Sequence, residues 1–412
     1  MRKSILYMAI LLSCFALNLQ AFISVPRTEK AFAEAEGFGE YTQGGKGGKI
    51  LDVTTLEDTD KKGSLRWAVS QDYPRIIQFK VEGIIVLKDN LVIKNPFLTI
   101  DGSTAPGEGV TLKDGSLIVN DTQDVIIRYL RVRPGDQAAL GKGPWKKKKR
   151  KNFPEDAITV NNSTYVIIDH CSASWGSDEV VSVVGLSENV TVQWCFITEP
   201  LANPKLHIEN GIQISHPYCA LVSAKNVSYH KNLIAYFRIR GPQLSSNYDN
   251  SFKEAVNNYV FAYESSGMRF TLQNTTTYLQ LIGNYFQQPN TFKQNSKAIH
   301  LLYANPEDAN TIFNPKLYLH DNLSPIRQNI TDDEWKLVAS DITTEEENNI
   351  YAAAPLFTSS VNPIPATQVP NVVLANAGAT LPVRDRVDAR IVKQIRKGKG
   401  TIINSQEDVG GY

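Results

Sequence analysis

Cysteine is scarce in this chain: four among 412 residues, at Cys14, Cys171, Cys195 and Cys219. A set so sparse, and odd once an amino-terminal leader is removed, is no disulfide framework. With no C-x-x-C pair, the zinc and thiol-redox readings also fall away. The inner three are expected to be buried free thiols acting as small apolar residues. An excess of one charge is missing as well: 43 Lys plus Arg face 42 Asp plus Glu, for a formal net charge of +1. That balance excludes a globally basic nucleic-acid binder, and 42% hydrophobic residues exclude a disordered, highly charged tail. Beyond the amino terminus no apolar run approaches the length of a membrane span. No long amphipathic helix is written in the middle of the chain, which disfavours an α/β fold. H-E-x-x-H, G-x-S-x-G and Walker-type sequences are absent, so zinc-protease, α/β-hydrolase and P-loop readings lack support.

What is present begins with an export signal. Arg2 and Lys3 precede an apolar stretch over residues 5–17, so residues 1–21 are expected to be a signal peptide and 22–412 a single domain. Leu11-Leu-Ser-Cys14 offers an alternative, a lipoprotein box with Cys14 lipidated. The product is then secreted, or an outer-surface lipoprotein if Cys14 carries the lipid. One basic run, Lys146-Lys-Lys-Lys-Arg-Lys151, interrupts the charge balance. It reads either as a solvated loop or as a contact for a polyanion.

Self-similarity sets the fold. The segments starting at Asp124, Tyr165, Asn189, Asn226, Tyr278 and Lys316 each open on a polar or aromatic residue and carry apolar residues at the second and usually the fourth place. In five of the six the seventh residue is small: Cys171, Cys195, Asn232, Asn284 or Asn322. Alternation at period two means short half-buried strands. Recurrence near 24 residues, with longer insertions between some copies, means stacked coils of a parallel β-solenoid. The asparagines are expected to form an internal ladder at a turn. A two-sheet β-sandwich is the alternative. Residues 61–70 are expected to form a helix capping the open end, and residues 325–412 an extended wrap with a short helix near 384–397.

Acidic residues gather on consecutive coils: Asp136, Glu155-Asp156, Asp169, Asp178-Glu179 and Glu199. Coils stack about 4.8 Å apart, so Asp156 and Asp178 can meet although distant in sequence. Converging carboxylates suit a hard cation such as Ca²⁺; the alternative is that they cap turns and face water. Arg238 and Arg240, alternate residues of one strand, are expected to project together and recognise a carboxylated or phosphorylated ligand, or else to pair with neighbouring acids. His170, His230 and His320 fall within strands and read as packed side chains, while His207 and His216 lie in an insertion and yield no assignment.

Further segments carry a resemblance. Gly63-Ser-Leu-Arg-Trp-Ala68, Leu98-Thr-Ile-Asp-Gly-Ser-Thr-Ala-Pro-Gly107, Ile127-Arg-Tyr-Leu-Arg-Val-Arg133, Ile168-Asp-His-Cys-Ser-Ala-Ser-Trp175, Gln193-Trp-Cys195 and Arg384-Asp-Arg-Val-Asp-Ala-Arg390 occur in the order found in the pectate lyase family, polysaccharide lyase family 1. The chain resembles that family from about Glu34 to Tyr412, most closely its secreted bacterial members. The resemblance implies an all-β, right-handed parallel β-helix. It implies calcium-assisted β-elimination on polygalacturonate, with Arg240 matching the catalytic arginine and Asp156 and Asp178 matching calcium ligands. It implies departures too: a third acidic ligand position falls at Ser182, with Glu179 available beside it, and the second arginine of the catalytic segment is Gln243. Arg238, Gln243 and Lys205 are the substrate-binding candidates. The implied cofactor is Ca²⁺ and the implied partner an acidic plant polysaccharide, bound by a monomer without nucleic acid or a transmembrane span. The alternative is a catalytically weakened β-helix protein that binds acidic polysaccharide. A β-helix glycoside hydrolase would need paired acids, and its Asn-Thr-Asp, Gly-His-Gly and Arg-Ile-Lys signatures are absent.

Overall fold

Three strands per turn of the chain, each continuing upward into the next turn, build this molecule. The computed structural model describes residues 27–141, 156–245, 247–273, 275–292, 297–303 and 315–412. The expected signal segment with Cys14, Glu155 and the basic run at 146–151 lie outside the described residues. Among the described residues the strands form parallel sheets of ten, nine and eight members, plus one small antiparallel hairpin. One coil runs through Thr164–Asp169 in the ten-stranded sheet, Ser172–Ser174 in the eight-stranded sheet and Val181–Val184 in the nine-stranded sheet. The next repeats the path through Glu188–Gln193, Phe196–Thr198 and Leu221–Val222. This is the expected parallel β-helix, and the sandwich alternative is excluded by the parallel pairing within all three large sheets.

Register explains the repeat. Val125, Val166, Val190 and Val227 are partners on successive strands, and all four are buried. Identical register stacks like residue on like, so each coil buries its apolar face against the coil below. Strict alternation holds where one sheet face meets solvent, as in Ile158–Asn161. It fails where both faces are covered. Residues 31–45 lie over the ten-stranded sheet, where the Gly39 N–H donates to Thr191 Oγ1 at 2.9 Å and the Phe38 N–H to Ser228 Oγ at 3.0 Å.

The asparagine ladder is present and one member longer than expected. Asn232 Nδ2 donates to Asn258 Oδ1, Asn258 Nδ2 to Asn284 Oδ1 and Asn284 Nδ2 to Asn322 Oδ1, at 3.0, 3.0 and 2.9 Å. Cys195 joins through its backbone N–H, which donates to Asn232 Oδ1 at 2.8 Å. Cys171, Cys195 and Cys219 are buried and free as expected, and burial pushes the Cys171 thiol up to about 12, out of reach as a nucleophile.

Helix α1, Leu65–Ser70, caps the amino-terminal end, its first turn closed by the Ser64 hydroxyl accepting from the Trp67 N–H. The carboxy-terminal wrap holds more helix than expected: α2 (Thr344–Ile350), α3 (Val369–Asn376) and α4 (Arg386–Arg396). Helices α3 and α4 place Val373, Ile391 and Ile395 against Phe196, Leu233 and Phe261 of the eight-stranded sheet, forming a second apolar core. Arg133, fully buried, is held there by Asp385 and Asp388, at 2.5 and 2.8 Å.

Candidate active site

The acidic candidates and Arg240 come from one kind of corner, the turn from the eight-stranded into the nine-stranded sheet. Asp156 precedes strand Ile158–Asn161, Asp178 and Glu179 precede Val181–Val184, and Arg240 precedes Gln243–Leu244. The tight turn at Gly176 brings the second pair inward. A β-carbon there would fall 2.0 Å from the Glu179 carbonyl oxygen, so only glycine permits the approach.

Asp156, Asp178 and Glu179 each offer an oxygen within 4.8 Å of the others. Asp156 accepts the Glu179 backbone N–H at 2.9 Å and the Thr159 hydroxyl at 2.8 Å. Burial, and then the charge of Glu179, push the Asp156 carboxyl up to about 7. Burial, and then Glu179 and Asp156 together, push Asp178 up to about 8. Three acids this crowded cannot all stay ionised alone. Ser182, the register partner of Thr159, adds a buried hydroxyl that reaches Asp156 without hydrogen-bond alignment. An all-oxygen set with surplus negative charge and an unaligned hydroxyl fits a hard cation of the Ca²⁺ class.

Glu179 differs from its neighbours. Burial opposes its charge, but His216 and Arg240 outweigh that and hold the carboxyl below its ordinary range. The Arg240 guanidinium donates directly to Glu179 Oε1. Arg240 itself has φ 65°, the left-handed region that this chain also uses at other coil turns, such as Trp175, Glu199 and Tyr236.

A column of flat groups stands beside this pair. His207 stacks on His216 with centroids 3.9 Å apart, His216 lies 3.7 Å from the Tyr218 ring, and the Arg240 guanidinium sits 4.7 Å over the other ring partner, Tyr218. The histidines flank the hairpin of Ile208–Glu209 and Ile212–Gln213, whose closure returns the chain so that the Ile214 N–H donates to the His207 carbonyl at 3.0 Å. Both meet Asp178 Oδ1, at 3.4 Å from His207 Nδ1 and 3.1 Å from His216 Nε2.

The structure thus brings together Asp156, Asp178, Glu179 and Arg240. Arg238 does not share their partner: it donates to Glu264 Oε2 at 2.8 Å and to the Ser215 carbonyl at 2.9 Å. Lys205 is exposed on the short 3-10 turn Pro204–Leu206, two residues before His207. Gln243 lies half-buried between its register partners Leu221 and Arg269. Three other acids expected in the cluster serve the fold instead. Asp169 takes Arg128 at 2.6 Å, Glu199 takes Arg390 at 2.7 Å, and Asp136 takes Gln406 at 2.8 Å. The sequence reading missed His207, His216, Tyr218 and Arg269. The turn-forming Asn210-Gly211 between the histidines was the available signal, since a hairpin there sets them face to face.

No family model matches the chain. A curated relative, the probable pectate lyase C of Emericella nidulans, is 31% identical over 393 residues, covering 92% of this chain and 80% of that protein. The other relatives reported over most of the chain are also fungal, so the expected affinity to bacterial members is not the one these comparisons support. Among solved structures, jun a 1, the major allergen from cedar pollen, matches with a TM-score of 0.58 at 20% identity, over 84% of this chain and 92% of that one. A pectate lyase from Bacillus sp. N165, in complex with trigalacturonate, matches with a TM-score of 0.51 at 14% identity, over 83% and 98%.

Proposed function

Because the chain belongs to the pectate lyase family, we propose that it is a secreted polysaccharide lyase that cleaves polygalacturonate by calcium-assisted β-elimination. The observation that carries this reading is the meeting of Arg240 with Glu179 beside Asp156 and Asp178, from corners of stacked coils. Asp156 and Asp178 would hold the calcium, with the Ser182 hydroxyl close by. Bound there, calcium would supply charge neutralisation for a uronate carboxylate and would make the adjacent C5–H more acidic.

Arg240 acts as the base. In its neutral form it takes the C5 proton, the C5–H electrons form the C4=C5 double bond, and the C4–O bond breaks. The electron pair leaves on the glycosidic oxygen, which takes a proton from solvent. Tyr218 and Glu179 fix the guanidinium plane, so it meets the substrate in one orientation. Arginine loses its proton only above about pH 12 in reference compounds, so the rate is expected to rise toward alkaline pH.

Arg269 takes the substrate-binding part that Gln243 lacks. It stands on the neighbouring strand in direct register with Gln243 and close enough to Arg240 for their charges to interact. Its guanidinium, like that of Arg238 or the exposed Lys205 ammonium, suits a uronate carboxylate. Residues 22–412 act as one exported unit after loss of residues 1–21.

The test is purified protein incubated with polygalacturonate, with calcium or with EDTA, followed by ultraviolet absorbance of the unsaturated product. Product that depends on calcium and disappears in Arg240→Ala is the expected result. A folded protein that forms none from neutral to alkaline pH overturns the reading. A second reading, binding without turnover, is favoured by Ser182 and Gln243 at the two departed positions. It predicts retention on polygalacturonate with no product.

A further inference from the structure

We propose that Asp178, His207 and His216 form a second metal site, for a first-row divalent ion of the Zn²⁺ class, which shares Asp178 with the calcium cluster. One oxygen of Asp178 and one nitrogen of each ring lie within 4.8 Å of one another. The donor set differs in kind from the neighbouring one. Asp156, Asp178 and Glu179 offer only oxygen, whereas two imidazoles and a carboxylate suit Zn²⁺, Co²⁺ or Ni²⁺ and match Ca²⁺ poorly.

The distances are those of donors gathered on one ion. Two donors about 2.1 Å from a tetrahedral ion lie about 3.4 Å apart. His207 Nδ1 and His216 Nε2 stand 3.4 and 3.1 Å from the same atom, Asp178 Oδ1. His216 is buried at 7% exposure, yet neither ring nitrogen has an aligned hydrogen bond. A buried imidazole left in that state is costly unless something else takes its lone pair.

The rings are also held ready. His216 is sandwiched between His207 and Tyr218, and the hairpin fixes where both histidines leave the backbone. Stacked face to face at 3.9 Å with planes 9° apart, the two imidazoles hold each other's orientation.

The consequence for the enzyme follows from the shared carboxylate. An ion held by the histidines draws Asp178 away from the calcium cluster and crowds Arg240 through Tyr218. Zn²⁺ then inhibits, and calcium relieves the inhibition. This consequence rests on the reading of Asp178 as a calcium ligand; the binding itself does not.

The experiment titrates EDTA-stripped full-length protein with Co²⁺ and records its visible d–d spectrum, with Tb³⁺ luminescence reporting the oxygen site separately. The expected result is one Co²⁺ with nitrogen-ligand bands, bound at least about tenfold more weakly in His207→Gln and in His216→Gln, while Tb³⁺ binding changes less than about twofold. Asp178→Asn is expected to weaken both ions. Circular dichroism checks each variant, and His207→Gln, on the insertion, serves if His216→Gln does not fold. Absence of Co²⁺ binding, or binding equal in wild type and both histidine variants, overturns the proposal. A protein that binds Co²⁺ through the histidines but forms no unsaturated product keeps this site and loses the lyase reading.

Discussion

Arg240 and Glu179 are bound to each other across two coils, the arginine on a left-handed turn and the glutamate inside a cluster of acids. The pair puts a cation against a surplus of negative charge at one corner of the solenoid. It also sets the guanidinium over Tyr218. Arg240→Ala is expected to lower kcat about a hundred- to ten-thousand-fold with little change in KM, the range for a proton-transfer group. Arg240→Lys should recover part of the loss at alkaline pH. Initial rates with circular dichroism measure this, and an Arg240→Ala enzyme of normal kcat would falsify the assignment.

Arg269 predicts the opposite split. It stands one strand from Gln243 and its Nε donates to Ser266 Oγ at 3.0 Å, while among the described residues no carboxylate is ion-paired with its planar fork, which suits a substrate carboxylate. Arg269→Gln should raise KM for polygalacturonate about tenfold or more, with kcat nearly kept and the weakened binding less sensitive to salt. A fall in kcat at constant KM would instead move Arg269 into the proton-transfer step.

The coils could be read from the sequence because their cause is periodic. Asn232, Asn284 and Asn322 repeat at one place in the motif, and a stacked register turns that repetition into a hydrogen-bonded ladder. Asn258 escaped because its copy opens on Phe252-Lys253-Glu254, with a charge where the others carry an apolar residue. The site was legible only where it sits at coil ends: Asp156, Asp178 and Arg240 all flank strands at the same corner of the solenoid. Asp169 and Glu199 look the same by position, yet Arg128 and Arg390 take them, the second from 191 residues away. His207 and His216 met by closing a hairpin inside an insertion, a local geometry that no repeat announces.

Lys253 supplies a pH dependence of stability. It points into the solenoid in register with Val227 and Leu279, is fully buried, and donates to the Ala224 carbonyl and Ser251 Oγ, with no carboxylate partner among the described residues. Burial pushes it down to about 7 from an unfolded value of 10.5. Between those values the unfolded chain holds the proton and the folded chain does not, so stability rises with pH across that window. Below it the full cost is present, on the order of 4–5 kcal/mol. Lys253→Met should therefore raise Tm more at pH 6 than at pH 10, and should flatten the wild-type rise between them. Thermal unfolding of both proteins across that range decides it; an unchanged slope in the variant assigns the dependence to other groups.

The asparagine ladder carries a stability prediction that is independent of pH. Asn284 Oδ1 accepts both the backbone N–H and Nδ2 of Asn258, each at 3.0 Å, and Asn284 Nδ2 donates to the Ala255 carbonyl at 2.8 Å and to Asn322 Oδ1. All these groups are buried, so truncating Asn284 strands donors and acceptors on two coils at once. A buried group that loses its partner costs about 1–3 kcal/mol, and some of the stranded groups here can share water in the space the side chain leaves. Asn284→Ala is expected to destabilise the fold by about 2–4 kcal/mol in urea unfolding. Asn284→Asp separates the roles, because it keeps the acceptor for Asn258 but loses the donor to Ala255 and faces the Asn322 oxygen. Its cost should match or exceed that of alanine. If aspartate proves nearly neutral while alanine is costly, the donor half of the ladder contributes nothing, and the acceptor to Asn258 together with the packing of the side chain holds the turn.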